Sequence, residues 1–180
     1  RRERREEMLI RLEKEGFVIK QIIDYTTAEE EKIFLEGTGS LLLDRVNKKA
    51  YCALSVRAHE DLIIEFCEDF EYTPVIFSAL QTKDHERLPI YHTNVMMVVA
   101  PHFALVCLDA VDDPVERALL QDRLTFSGKE VVALTEKQIS QFAGNMLALT
   151  AAGGKVLLVM STRAYEALTS QQCLACEGSG

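Results

Sequence analysis

Two short segments carry side chains suited to proton transfer: Phe34-Leu35-Glu36-Gly37-Thr38-Gly39-Ser40 and Tyr91-His92-Thr93-Asn94-Val95. Each places a polar group just ahead of an apolar run, Leu41 to Leu43 in one case and Val95 to Val99 in the other. A carboxylate that holds a histidine ring in one tautomer and stabilises its cation is half of a nucleophilic-catalysis constellation. Glu36 stands between Leu35 and Gly37, an unfavourable place for a merely solubilising charge, and a carboxylate near apolar surroundings needs a partner. The bland alternatives are that Glu36 caps backbone N–H groups of its own turn and that His92 makes a single loop hydrogen bond. Arg57, in Leu54-Ser55-Val56-Arg57-Ala58-His59, is the third candidate. Its planar fork suits a carboxylate, although an exposed residue at a helix start would look the same. His59 and Glu60 read as helix-capping and solvated residues, His85 as part of a charged loop, and His102 as a turn residue.

The elements around these residues repeat. An apolar strand (Leu41 to Leu43), a turn (Asn47-Lys48-Lys49), a second strand (Ala50 to Leu54), a helix (about His59 to Phe70, with Ile63, Phe66 and Phe70 on one face) and a third strand (Pro74 to Ser78) make one unit. The order returns as Val95 to Ala100, Phe103 to Leu108, a helix from Pro114, and Glu130 to Leu134. It starts again as Met146 to Leu149, Val156 to Met160, and a helix through Ala164 and Leu168. The strand heads align as Gly39, Asn94 and Asn145, at steps of 55 and 51 residues. This spacing brings Glu36 and His92 to equivalent heads of adjacent repeats, near 34–80 and 91–135, with a third near 142–170. Ahead of them, 1–15 reads as a helix stopped by Gly16, Phe17 to Ile23 as a strand, and Thr26 to Lys32 as an acidic connection. The tail from Gln171 has no strand pattern, and a chain that begins in a helix and ends before the third closing strand reads as cut at both ends.

Composition narrows the function. With 180 residues, 48% of them hydrophobic, one domain over 1–180 is expected. A net charge of −8 leaves no uncompensated basic surface for nucleic acid or an anionic membrane. The run Arg1-Arg2-Glu3-Arg4-Arg5 is followed at once by Glu6 and Glu7 and reads as a solvated helix face. No apolar run reaches the roughly 18 residues of a membrane span, and no leader pattern is present, so a soluble, cytoplasmic protein is expected. The cysteine count is five, an odd number, and Cys52, Cys67 and Cys107 lie in apolar stretches, which argues against a disulfide framework. Cys173-x-x-Cys176 has neither a second pair nor a histidine at ligand spacing, so no metal is expected there. Met96 and Met97 read as core.

Taken together, Phe34 to Ser40, Leu43-Asp44-Arg45, Ala50-Tyr51, Leu54-Ser55-x-Arg57, Tyr91 to Met97 and Phe142-Ala143-Gly144-Asn145-Met146-Leu147 resemble the guanidine-modifying enzyme superfamily, the pentein fold. The nearest branch is the amidinotransferase-like citrulline-utilisation hydrolases, and the likeness runs from about Arg4 to Gln171. The resemblance implies an α/β propeller of strand-strand-helix-strand modules with the site in its central channel. It also implies a hydrolase cleaving a C–N bond of citrulline or an arginine-like amino acid. In such enzymes a cysteine attacks, a histidine is general acid/base and an acidic residue pairs with it, so the resemblance implies no metal and no organic cofactor. Glu36 and His92 match the last two as catalytic residues. Arg57 matches the position that binds the substrate α-carboxylate, and Asn94 stands where deiminases carry the aspartate that grips the guanidinium. The family's nucleophilic cysteine follows a glycine-rich turn that this sequence lacks, so neither Cys173 nor Cys176 is assigned that role. A non-catalytic pentein, binding a ligand or degenerate, is the alternative. A small-molecule amino acid is the expected partner, and a homo-oligomer is compatible with the exposed edges that such repeats leave.

Overall fold

The computed structural model describes residues 6–177. The basic run at Arg1 to Arg5 therefore lies outside the described residues. The chain divides between Ile33 and Phe34 into two compact units. In the first, helix α1 (Glu6–Lys14) carries Glu6 and Glu7 in its first turn and Arg11 and Lys14 in its last, matching its dipole. Gly16, at φ +91°, follows it. The strand expected over Phe17 to Ile23 does not form: Phe17, Val18 and Ile22 are 61%, 83% and 64% exposed, and no strand among the described residues completes a ladder with them. The acidic connection contains a 3-10 turn, Thr26–Glu31.

The second unit holds all three repeats. A single turn, α2 (Gly37–Ser40), leads into β1 (Leu41–Asp44), β2 (Lys49–Leu54), α3 (Glu60–Phe70) and β3 (Thr73–Ser78). A hairpin, β4 (Leu80–Lys83) and β5 (Glu86–Pro89), separates this from the second repeat: β6 (Met97–Val99), β7 (Phe103–Val106), α4 (Pro114–Phe126) and β8 (Glu130–Ala133). A short helix α5 (Glu136–Ile139) precedes the third: β9 (Leu147–Thr150), β10 (Val156–Val159) and α6 (Thr162–Ala167), followed by α7 (Ser170–Glu177).

The first two repeats share one topology. β1 and β2 are antiparallel, Leu41 opposite Cys52, and β3 joins β2 in parallel, with Cys52 opposite Ile76. β6, β7 and β8 repeat this order, whereas β10 pairs only with β9 among the described strands. β1 neighbours β6 and β6 neighbours β9, so the leading strands of the three repeats stand side by side. α4 packs on β3 of the first repeat as well as β8 of its own, tying the two together.

Local chemistry explains most boundaries. His59 caps α3 by accepting from the Asp61 N–H, and Asp113 caps α4 through Val115 and Glu116, with Pro114 at the first helical position. α3 buries Leu62, Ile63 and Cys67, while Phe70 is 42% exposed, so the buried stripe is rotated from the one anticipated. The strand expected from Val95 starts instead at Met97, because Thr93–Val95 forms a 3-10 turn closed by the Met96 N–H on the Thr93 carbonyl. The charged stretch around His85 is a hairpin, with Asp84 and His85 both left-handed (φ 50° and 67°) in its two-residue loop. The tail is helical: Gln172 of α7 donates to the Ala133 carbonyl at 2.6 Å and accepts from Gln138 at 2.7 Å. Met96, Met97, Cys52 and Cys107 are all fully buried, as core residues.

One polar cluster is sealed in the interior where the first two repeats meet. The Lys129 ammonium lies 2.9 Å from the Asp44 carboxylate and donates to the Ala100 carbonyl at 2.9 Å, with the two side chains 0% and 3% exposed. Burial raises the Asp44 pKa, but the Lys129 and Asn47 hydrogen bonds outweigh it and the net shift is downward. No helix among the described residues is long and apolar enough to cross a membrane.

Candidate active site

The site is assembled by backbone pairing between segments that the sequence separates. Leu35 bridges Ala58 in antiparallel fashion, the Glu36 N–H donates to the Arg57 carbonyl at 3.0 Å, and the His59 N–H donates to the Phe34 carbonyl at 2.8 Å. Glu36 is thereby fixed opposite Arg57. The turn of α2 follows at once, opened by Gly37 at φ +46°, a conformation that suits glycine.

Serine and threonine hydroxyls then join the first repeat to the second. The Ser55 hydroxyl donates to the Tyr91 carbonyl at 2.8 Å and accepts from the Arg57 N–H at 3.1 Å. Thr93, fully buried, accepts from the Ala53 N–H at 2.8 Å and donates to the Ser40 carbonyl. The Cys52 thiol donates to that same carbonyl at 3.1 Å, and the Ser40 hydroxyl donates to the Arg57 carbonyl at 3.3 Å. His92 is held between Tyr91 and Thr93, so both of its neighbours are anchored to the first repeat.

On this frame the Nε2 of His92 lies 2.7 Å from the Glu36 Oε2. A carboxylate only accepts, so Nε2 carries the proton and Nδ1 is left as the ring's other proton site. Nη1 of Arg57 is 3.5 Å from the same Oε2, and its guanidinium lies over the Tyr91 ring at 5.0 Å. The Tyr91 and His92 rings are 4.9 Å apart and tilted by 55°. The His92 side chain is 19% exposed, against 47% for Glu36 and 45% for Arg57, so the imidazole is the sheltered member of the group.

Asn94 is brought elsewhere. With Thr38 and Asn145 it lines a cleft of about 910 Å³ along β1, β6 and β9, and Glu36, Arg57 and His92 do not line it. Thr38 and Asn94 each stand three residues ahead of their strands and Asn145 two, so three repeat heads face one opening. Asn145, Tyr91, Ser55 and Thr93 were not singled out as site residues in the sequence. Asn145 was visible only as the third strand head, and the hydroxyl bridges carried no periodic signal.

Three of the thiols, Cys52, Cys67 and Cys107, are buried in the core. All five cysteines are free. Burial pushes the Cys52 thiol up to about 12 and Cys107 to about 11, and raises Cys67. Cys173 and Cys176 line a different cleft with Met160, Tyr165 and Leu168, and burial pushes Cys176 to about 11. No group of three or more His, Cys, Asp or Glu side chains that could hold a metal ion occurs among the described residues.

The fold has solved counterparts. The chain is similar to the N-terminal domain of ArgZ, an arginine dihydrolase of the ornithine-ammonia cycle in cyanobacteria, in its substrate-bound structure: TM-score 0.56, 16% identity, covering 95% of this chain and 54% of that one. The product-bound structure of the same domain gives TM-score 0.58 and 15% identity, covering 93% and 54%. The ligand-free structure of ArgZ gives 0.57 and 16%, covering 92% of this chain and 25% of that one. The chain thus spans about half the length of the N-terminal domain it matches, and the likeness is one of fold: a mixed α/β pentein fold. No curated protein matches the sequence. Residues 1–178 match the model of a family described as N,N dimethylarginine dimethylhydrolase, eukaryotic, and the chain belongs to that family, within the guanidine-modifying superfamily that its motifs resemble.

Proposed function

We propose that the chain carries the acid/base and substrate-holding half of a hydrolase site that cleaves a C–N bond in the guanidino or ureido group of an arginine-like amino acid. The observation that carries this reading is the 2.7 Å contact between His92 and Glu36, with Arg57 beside the same carboxylate oxygen. ArgZ is an arginine dihydrolase and the matching family is one of dimethylarginine dimethylhydrolases, which supports an arginine-like ligand. In this reading the repeats form part of a propeller, and the cleft shared by Thr38, Asn94 and Asn145 is its central opening.

A thiolate adds to the central carbon of the guanidino or ureido group, and the imidazolium of His92 gives its proton to the departing nitrogen. Neutral His92 then takes a proton from water as the water oxygen adds to the thio-linked carbon, and the C–S bond breaks to release product and thiolate. Proton transfer by His92 is of the kind that contributes about 10²–10⁴-fold in rate, and Glu36 holds the ring and stabilises its cation. Arg57 takes the α-carboxylate through two parallel hydrogen bonds. In this reading the attacking thiol is none of the five cysteines here: Cys52, Cys67 and Cys107 are in the core, and Cys173 and Cys176 line the other cleft.

The test is turnover by the full-length protein of arginine, its N-methylated forms and citrulline. Release of ammonia, methylamine or dimethylamine, with loss of at least 100-fold in kcat on His92→Ala, is the expected result. Binding of these amino acids without turnover of any would replace the hydrolase with the ligand-binding reading.

A further inference from the structure

Gly39 lies against His92 more closely than any side chain would permit. A Cβ built on Gly39 would stand 2.9 Å from the His92 Nδ1, 3.1 Å from Cε1 and 3.2 Å from Cγ. Three such nearly equal distances to adjacent ring atoms locate that point over the flat face of the imidazole, above Nδ1, and not in the ring plane. The backbone of the α2 turn is therefore stacked on the ring, and the in-plane direction of Nδ1 is not the direction it blocks.

Neither backbone at this contact can yield cheaply. The turn is anchored by its Ser40 carbonyl, which receives the Thr93 hydroxyl and the Cys52 thiol, and by the Ser40 hydroxyl on the Arg57 carbonyl. The segment that bears His92 is anchored by Thr93 to the Ala53 N–H and by the Tyr91 carbonyl to Ser55. With both backbones fixed, the one part free to move is the imidazole, by rotation about its own side-chain bonds. Such a rotation carries Nε2 away from Glu36 Oε2, at present 2.7 Å distant.

We infer that Gly39 is a positioning residue for the reaction proposed above: its bare Cα sets the plane of the His92 ring so that Nε2–H meets Glu36 while Nδ1 is presented as the nitrogen that exchanges protons with substrate and water. The inference rests on the acid/base reading of His92, and it adds which nitrogen reacts and what keeps the ring turned. Glycine is required here for close approach, not for a left-handed backbone, which the turn takes at Gly37 instead.

The experiment follows the proton shared by His92 and Glu36 in the chain described here, as a downfield proton resonance assigned by its loss in Glu36→Gln. Gly39→Ala removes or shifts that resonance by more than 1 ppm while the amide spectrum of β1, β2 and β6 stays in place, and Thr38→Ala in the same turn leaves it unmoved. A Gly39→Ala variant that keeps the resonance at its original position overturns the inference. Should the variant not fold, the original chain still decides. Gly39 Hα protons within NOE range of the His92 Hε1 sustain the stacking, and their absence overturns it. In the full-length enzyme Gly39→Ala lowers kcat by about 100-fold with KM changed less than about threefold, as expected of a displaced acid/base group, and an unaltered kcat refutes the role. These readouts separate the two claims, because the shared proton reports the ring geometry whether or not any substrate is turned over.

Discussion

Glu36 and His92, 56 residues apart in sequence, meet at 2.7 Å through one carboxylate oxygen that Arg57 also approaches. One oxygen serving an imidazole and a guanidinium makes the Glu36 carboxylate the junction between the group proposed to move protons and the group proposed to hold the substrate's α-carboxylate.

Arg57→Ala separates these two duties. The Arg57–Glu36 pair is nearly half exposed on both sides, so its loss costs folding stability no more than about 1 kcal/mol. In the full-length enzyme KM for the amino-acid substrate rises by about 10–100-fold while kcat changes less, the signature of lost uniform binding. Arg57→Lys does not restore it, since an ammonium offers neither the planar fork nor the stacking on Tyr91. Steady-state kinetics with a carboxylate-free substrate analogue checks the assignment: an equal effect on that analogue would mean that Arg57 acts through Glu36.

Asp44→Asn leaves the buried Lys129 ammonium without its counter-charge. Breaking a buried pair from one side costs about 3–5 kcal/mol, read by chemical denaturation of the chain. The Asp44 pKa is held below its ordinary value of 3.8, so the stability it contributes is fully present above that pH and is lost as pH falls through the depressed folded-state value. The original chain therefore loses stability on acidification below about pH 4, and Asp44→Asn shows a flatter acid limb. An unchanged denaturation midpoint at neutral pH would show that the Ala100 and Pro101 carbonyls alone suffice for Lys129.

Gly144→Ala tests the seam between the second and third repeats. An added Cβ would lie 2.2 Å from the Val95 carbonyl oxygen and 2.8 Å from the Met96 carbonyl carbon, both backbone atoms of the turn that follows His92. Backbone cannot step aside as a side-chain tip can, so the substitution costs about 1–3 kcal/mol or more. A thermal midpoint within a degree of the original would show that the third repeat head is not seated against the second.

The elements legible in the sequence were those whose apolar residues lie in short runs bounded by turn or capping residues. β1 and β2 fell where apolar runs on either side of a polar turn put them, α3 ran over the expected residues with a rotated buried face, and the His59 cap was readable from its place ahead of Glu60 and Asp61. Phe17 to Ile23 alternated well enough yet forms no strand, because alternation does not supply a partner for the ladder. The meeting of Glu36 with His92 was inferable from repeat register, since equivalent heads of adjacent repeats become neighbours. The hydroxyl bridges of Ser55 and Thr93 were not, because each joins residues at least 36 apart through a single bond that leaves no periodic trace. Gly39 was visible as a glycine at a strand head, but only the packed ring explains why a side chain is excluded there.

Asn94 lines the neighbouring cleft rather than joining the Glu36, His92 and Arg57 group, and the proposal that it reads the substrate rests on its match to the deiminase aspartate. A guanidinium is a permanent cation, bound best by a carboxylate through short paired hydrogen bonds. The ureido group of citrulline is neutral and offers both N–H donors and a C=O acceptor, and an ionised aspartate, able only to accept, would oppose its oxygen. An asparagine amide presents one accepting and one donating face. Asn94 shares the cleft with Asn145 and Thr38, which are neutral, and with Asp44 and Arg45, which carry opposite charges. A site built to satisfy a polar group discriminates by several kcal/mol when the wrong ligand leaves a buried donor or acceptor unpaired. The full-length enzyme is therefore expected to prefer citrulline to arginine in kcat/KM, and Asn94→Asp to shift that ratio toward arginine by about tenfold or more. The measurement is kcat/KM for both amino acids with both proteins. A ratio unchanged by the substitution would mean that Asn94 caps its turn without reading the charge of the substrate.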